Sequence, residues 1–180
     1  MNVDGISLAR VGEVDRDVLR SFSCADPDLD EFLHDQAVDY DEHGLTATTI
    51  VFQDQDPVPI AFFSLSADSL LLEGVELTEL GLPFDAPILF YPAIKITKLA
   101  VRAGMQSRGI GEVLIKFIQG MVFDSQFSVR LLTVNAVNRE RTLAFYERVG
   151  FHTSHINEQK KQDRRRERDT ILMYKDIYAE

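Results

Sequence analysis

Residues Gln106 to Gly111, QSRGIG, set two glycines one residue apart between the apolar run ITKLAV and a long amphipathic pattern. N–H groups at a helix start have no intrahelical acceptor, and together with the helix dipole they form a site suited to phosphate. Glycine at 109 and 111 lets a bulky phosphate approach without meeting a Cβ. Arg102 and Arg108 add positive charge close by in sequence. A glycine turn that packs a helix tightly on a strand would use the same residues. Two phosphate schemes fail on their own terms. A Walker loop ends in GK[ST], whereas Gly111 is followed by Glu112. A dinucleotide fingerprint needs a third glycine and an acid ending the next strand, whereas Leu114 and Asn135 stand there.

Other chemistry-bearing residues are scattered. Tyr146 lies on the apolar stripe 142–146–149 and reads either as a core tyrosine or as a phenol able to donate a proton. His34, His43, His152 and His155 form no pattern and read as surface residues. Cys24 is the single cysteine. It lacks a His/Asp partner pattern, which favours packing over nucleophilic work. One cysteine also rules out an intrachain disulfide and makes a reducing cytoplasm the expected setting. No His, Cys or acid spacing suggests a metal. The run KKQDRRRERD, Lys160 to Asp169, carries six bases and three acids without aromatic interleaving, so a solvated connection fits it better than a nucleic-acid contact.

The elements that must position these residues follow from the patterning. Gly5–Arg10 reads as a first strand. Asp26–Pro27 is an N-cap with proline at the first helical position, and Leu29, Phe32, Leu33, Ala37 and Tyr40 continue a helix to about Glu42. His34, Asp35, Asp39 and Asp41 fall mostly on its wet side. Thr46–Gln53 and Pro59–Ser69 flank the turn DQDP and form a hairpin. Residues 73–88 read as an irregular connection with a short helical turn. Tyr91–Val101 is a strand. Arg108–Phe123 is the clearest helix, with the stripe Ile110, Val113, Leu114, Phe117, Ile118 and Met121. Val129–Val134 is a strand, with Asn135 at its end. Asn138–Val149 is a helix that Asn138 caps and Gly150 ends. Phe151–Ile156 and Thr170–Ile177 are final strands. This order argues for a mixed sheet with helices on its faces, and for a single domain over 1–180.

The chain has 180 residues, 45% hydrophobic and 27% charged, which reads as a globular protein. No apolar run reaches the length of a membrane span, and the acidic N-terminus has no signal-like apolar region. The net charge of −10 is unevenly spread: residues 1–90 hold 19 acids and 3 bases, and residues 91–180 hold 10 acids and 16 bases. This asymmetry suits a cationic partner for the first half and an anionic ligand for the second.

Two motifs together carry a family resemblance. QSRGIG is similar to the Q-x-x-G-x-G pyrophosphate loop of the GNAT acetyltransferases. VNAVNRERTLAFYERVGF, Val134 to Phe151, resembles the family's later motif, with Asn138 opening a helix before Ala144-Phe145-Tyr146-Glu147 and Gly150-Phe151. The resemblance covers about 46 to 175. It implies an α/β (α+β) fold with one mixed, mostly antiparallel sheet flanked by helices on both faces. It implies acetyl-CoA as cosubstrate, with no metal, for transfer of acetyl to a primary amine. It assigns Leu99 and Val101 to the strand along the pantetheine arm, Leu99 at a bulge that polarises the thioester. Gln106, Ser107, Arg108, Gly109, Ile110 and Gly111 hold the pyrophosphate, Asn138 contacts the cofactor, and Tyr146 is the general acid. A narrower resemblance lies in FSCADPDLDEFLHDQA, Phe22 to Ala37, which is similar to the toxin branch that acetylates aminoacyl-tRNA; Ala25 stands where that branch usually has glycine. YPAIKITKLAV also matches its proline-led strand. The partners implied are an amine-bearing small molecule or peptide or, in the toxin branch, aminoacyl-tRNA and an antitoxin protein. No membrane is implied, and a homodimer is compatible. A non-catalytic acyl-CoA sensor is the remaining alternative.

Overall fold

The first four strands pair antiparallel in chain order. The computed structural model describes residues 2–3, 5–155 and 169–179. The basic run from Lys160 and the end of the strand expected to Ile156 lie outside the described residues. Strand β1 (Asn2–Val3) pairs antiparallel with β2 (Ile6–Arg10) around Gly5, whose φ is +85°. A 3-10 turn (Val11–Glu13) and a short helix α1 (Arg16–Arg20) follow. Asp15 caps α1 by accepting the Asp17 N–H at 2.7 Å. Neither element has a readable period; five residues complete little more than one turn.

Asp26 caps the next helix as expected, accepting from Asp28 N–H, with Pro27 at the first position. This helix is not uniform. It runs as α2 (Pro27–Glu31), a π-helical turn (Phe32–Gln36) and α3 (Ala37–Glu42). The Ala37 N–H reaches the Phe32 carbonyl, five residues back. Asp41 departs from the expected wet side. It is 8% exposed, accepts the Arg10 Nε–H at 2.7 Å and receives the Thr48 N–H at 3.2 Å.

The hairpin is present as β3 (Ala47–Gln53) and β4 (Ala61–Leu71), antiparallel in the register Thr49↔Phe63. Residues 73–88 include the helical turn α4 (Val75–Glu79). Strand β5 (Phe90–Val101) leads to α5 (Ile110–Phe123), then β6 (Leu131–Val137), α6 (Glu140–Arg148), β7 (His152–Thr153) and β8 (Thr170–Asp176). Helix α5 starts two residues later than the pattern suggests. Ser107 (φ +64°) and Gly109 (φ +83°) are left-handed, which an α-helix does not admit. Asn135 lies inside β6 opposite Leu172 rather than at its end. Asn138 is not the N-cap of α6. Arg139 holds that position without a side-chain cap, and the Asn138 N–H donates to the Asp169 carbonyl at 2.8 Å.

The eight described strands form one mixed, mostly antiparallel sheet in the order β1-β2-β3-β4-β5-β6-β8-β7. Packing divides the chain into two compact units, 1–66 with 96–114, and 67–95 with 115–180. The core of the first gathers Val11, Leu19, Phe22, Phe32, Leu33, Ile50 and Phe62. Phe22 meets Phe62 edge-on at 5.4 Å, and Phe32 stacks on Phe62 at 6.3 Å. Each such side chain contributes about 1.5–3 kcal/mol by leaving water. The core of the second gathers Leu70, Leu72, Leu80, Tyr91, Leu131 and Tyr174. Beside it the Arg130 guanidinium bonds Asp176 at 2.6 Å and the Leu80 carbonyl at 3.0 Å.

Ala25 has φ +64°. A Cβ in this region costs about 1 kcal/mol relative to glycine. Ala25→Gly is expected to raise the free energy of unfolding by about 1 kcal/mol and the thermal midpoint by about 2–4 °C, measured by circular dichroism. An unchanged or lower midpoint would count against strain at this residue.

Candidate functional site

In the first unit the glycine loop begins where β5 ends. The Arg102 N–H donates to the Ile60 carbonyl at 2.9 Å, and the Ala103 N–H to the Ser23 carbonyl at 2.8 Å. The Arg102 guanidinium does not supply free positive charge. It bonds Asp56 at 2.6 Å and the Val58 carbonyl at 3.1 Å. The hydrogen bond from Arg102 holds the Asp56 carboxyl below its ordinary pKa. Arg108, by contrast, is exposed.

Gln106 fixes the turn. Its Nε2 donates one hydrogen to the Cys24 carbonyl at 2.9 Å and another to the Val101 carbonyl at 3.1 Å. Both side-chain donors are thereby spent on protein carbonyls. Ser107 and Gly109 then turn left-handed, and the ladder of α5 opens with Val113 N–H to Gly109 O at 3.1 Å. The amides ahead of Val113 lie at the positive end of the helix dipole. A Cβ built on Gly109 meets nothing within 4 Å, so the space beside that backbone is open. Leu99 and Val101 are partly buried on β5, as is Thr97, whose hydroxyl donates to the Ser64 carbonyl at 3.1 Å.

The loop is backed by residues that the sequence patterning leaves out. Asp30, at the first turn of the helix, accepts the Ser23 hydroxyl at 2.6 Å and the Cys24 N–H at 2.8 Å. Burial pushes its pKa up, but these hydrogen bonds outweigh it and the carboxyl ends below its ordinary value. His34, expected on the surface, is partly buried and bonds the Phe22 carbonyl at 2.8 Å through Nε2. The available signal was the polar residue one helical turn into α2, a position from which a side chain reaches back to the preceding loop.

In the second unit Tyr146 lies on α6. Its ring packs edge-on against Phe145 at 5.1 Å and Phe151 at 5.3 Å. It is 7% exposed, and burial pushes its hydroxyl well above the ordinary phenol range. This burial fits the core reading of Tyr146, and a buried phenol keeps its proton. Helix α6 ends in a Schellman turn: Phe151 N–H to Tyr146 O at 2.9 Å and Gly150 N–H to Glu147 O at 3.0 Å, with Gly150 at φ +88°. Lys175 Nζ caps the same end through the Val149 carbonyl at 2.9 Å. A Cβ on Gly150 would meet that nitrogen at 2.8 Å.

Residues 88–165 match the family model described as an acetyltransferase (GNAT) domain. That span is similar to a GNAT acetyltransferase domain. The matched span contains the glycine loop, Asn138 and Tyr146. Among solved structures, the chain is similar to a tyrosine-to-phenylalanine variant of the toxin AtaT bound to the C-terminus of the antitoxin AtaR and acetyl-CoA. That likeness has 16% identity and a TM-score of 0.67, covering 97% of this chain and 94% of that one. A tyrosine-to-phenylalanine variant of KacT matches at 17% identity and TM-score 0.72, over 97% and 96%. AtaT complexed with acetyl-methionyl-tRNAfMet matches at 16% identity and TM-score 0.70, over 93% of each chain. At these identities the likeness establishes a shared fold. Among the described residues, no helix is long and apolar enough to cross a membrane. No group of three or more His, Cys, Asp or Glu among them is placed to hold a metal ion.

Cys24 is 5% exposed, and burial pushes its thiol up to about 12. The thiolate is the reactive form. Iodoacetamide at pH 8 is expected to label the native protein more than about 100-fold slower than the urea-unfolded chain, followed by mass spectrometry. Comparable rates would contradict a packed, protonated thiol.

Proposed function

We propose that the chain transfers the acetyl group of acetyl-CoA to a primary amine. The observation that carries the reading is the QSRGIG loop. It turns left-handed at Ser107 and Gly109, leaves open space beside Gly109, and leads into the N-terminus of a 14-residue helix. This cradle suits a pyrophosphate, which backbone dipoles bind without a side-chain cation. Residues 106 to 111 hold the pyrophosphate and β5, with Leu99 and Val101, pairs with the pantetheine arm. Asn138 is the further cofactor contact.

The neutral amine attacks the thioester carbonyl, the C–S bond breaks, and Tyr146 gives its proton to the departing thiolate. The proton shed by the new amide nitrogen passes to water. Burial keeps Tyr146 protonated through the physiological range. The raised pKa weakens the phenol as an acid, but a thiolate formed in equally dry surroundings becomes more basic by the same desolvation. The presence of Tyr146 favours an enzyme over an acyl-CoA sensor. A single buried thiol suits a reducing cytoplasm.

For the acceptor, charge favours a cationic small amine or a lysine-rich or N-terminal peptide. Residues 21–94 carry fifteen acids and no lysine or arginine, a balance that attracts cations and repels RNA. A second reading is a toxin that acetylates aminoacyl-tRNA and is held by an antitoxin. It is supported by the segment Phe22 to Ala37 and by full-length likeness to AtaT and KacT.

Calorimetry should show acetyl-CoA binding that Gly109→Val weakens by at least about tenfold, because a β-branched residue resists φ +83° and its side chain enters the cradle. Equal affinities would refute the loop assignment. Transfer of labelled acetyl to polyamines, peptides and charged tRNA, at several salt concentrations, reads the rest. Tyr146→Phe is expected to keep the fold and acetyl-CoA affinity while turnover drops by about 10²-fold. Wild-type turnover in that variant would remove Tyr146 from the chemistry. Acetylation of charged tRNA that fades steeply with salt would replace the cationic acceptor by the second reading.

A further inference from the structure

The segment 22–25 has no regular secondary structure, yet it meets the glycine loop at two carbonyls. Ser23 O receives the Ala103 N–H, and Cys24 O receives a hydrogen from the Gln106 amide. A loop that leans on an irregular segment is only as rigid as that segment. The rigidity comes from α2. One oxygen of Asp30 takes the Ser23 hydroxyl and the other takes the Cys24 N–H, both charge-assisted contacts. His34, on the π-helical turn, takes the Phe22 carbonyl. Asp30 and Gln106 therefore grip the two peptide groups that flank the Cα of Cys24, one through its N–H and one through its C=O.

We propose that Asp30 is a positioning residue for acetyl-CoA binding, acting through Cys24 and Gln106 to fix the shape of the QSRGIG loop. The proposal rests on the reading that this loop holds the pyrophosphate. Asp30 is not offered as a ligand contact; a carboxylate facing pyrophosphate would repel it, and both of its oxygens are engaged with the 23–24 segment. The residues that make these contacts lie in the stretch Phe22 to Ala37, outside the matched span 88–165. Their polar members shape the cofactor loop.

The test measures acetyl-CoA affinity by calorimetry, with thermal midpoints recorded alongside, for wild type, Asp30→Ala, Asp30→Asn, Asp30→Glu, Gln106→Met and the Asp30→Ala/Gln106→Met double variant. Asp30→Ala and Gln106→Met should each weaken binding by about tenfold. The double variant should be no more than about threefold worse than the weaker single, because both cut one chain of contacts. Asp30→Asn keeps an acceptor for Cys24 N–H and a partner for Ser23 and should bind within about threefold of wild type. Asp30→Glu keeps the charge but moves it, and should bind more weakly than Asp30→Asn. In steady state Asp30→Ala should raise the KM for acetyl-CoA and leave kcat within about twofold, whereas general destabilisation would reduce the active fraction and kcat with it. Wild-type affinity in Asp30→Ala, or effects that multiply in the double variant, would overturn the proposal. If Asp30→Ala does not fold, the order of Asp30→Asn and Asp30→Glu decides, and equal affinities overturn it. Absence of acetyl-CoA binding to the wild type would overturn the loop reading and the proposal with it.

Discussion

A primary amide has two N–H bonds in one plane, and Gln106 uses both. One holds the end of β5 at Val101, the other holds Cys24, eighty-two positions earlier in the chain. Between these anchors and the first ladder bond of α5, the backbone passes through two left-handed residues. Its path is set from outside. A glutamate at 106 would bring acceptors to two carbonyls and push the loop away, and a shorter side chain would reach only one of them. Most features of the first unit become intelligible as supports for this span: the capped helix from Pro27, the left-handed Ala25, and the clamp on Cys24.

Three charged groups of the first unit are engaged locally. Arg10 is taken by Asp41, Arg102 by Asp56, and Asp30 by a hydroxyl and an amide. In the proposed reading, an anion at the loop would meet oriented peptide dipoles, fixed in place by folding, beside the exposed Arg108. In the second unit Tyr146 is buried and flanked by Phe145 and Phe151, and that burial keeps its phenol protonated.

The sequence made the loop, the hairpin and the two long helices legible because each has a strong local signature: paired glycines, a turn between β-rich runs, or an apolar stripe. It misplaced what depends on tertiary contacts. Asp41 looks solvated on a helical wheel, but Arg10 and the Thr48 amide lie above it. Asn138 looks like a cap because Asn commonly caps helices, yet the strand continues to Val137 and pairs with Thr170, which delays the helix to Glu140. The sequence singles out Gln106 for contact with a ligand; its grip on the Cys24 and Val101 carbonyls has no local signature. Asp30 was visible only as one residue of a resembling stretch; nothing local says that its carboxylate faces backward onto residues 23 and 24.

The π-helical turn at Phe32–Gln36 has a geometric consequence of its own. An α-helix advances about 100° per residue, so one residue accommodated without ending the helix resets the phase of everything after it. Before the turn, Asp30 faces back toward the 23–24 segment; after it, Asp41 faces Arg10 and the start of β3. A uniform α-helix of the same sequence would carry the two carboxylates at a different angular offset, and satisfying one would swing the other away from its partners. The wide turn works as a phase adjuster between two sets of polar contacts, and its length of five residues is therefore tied to both ends of the helix at once.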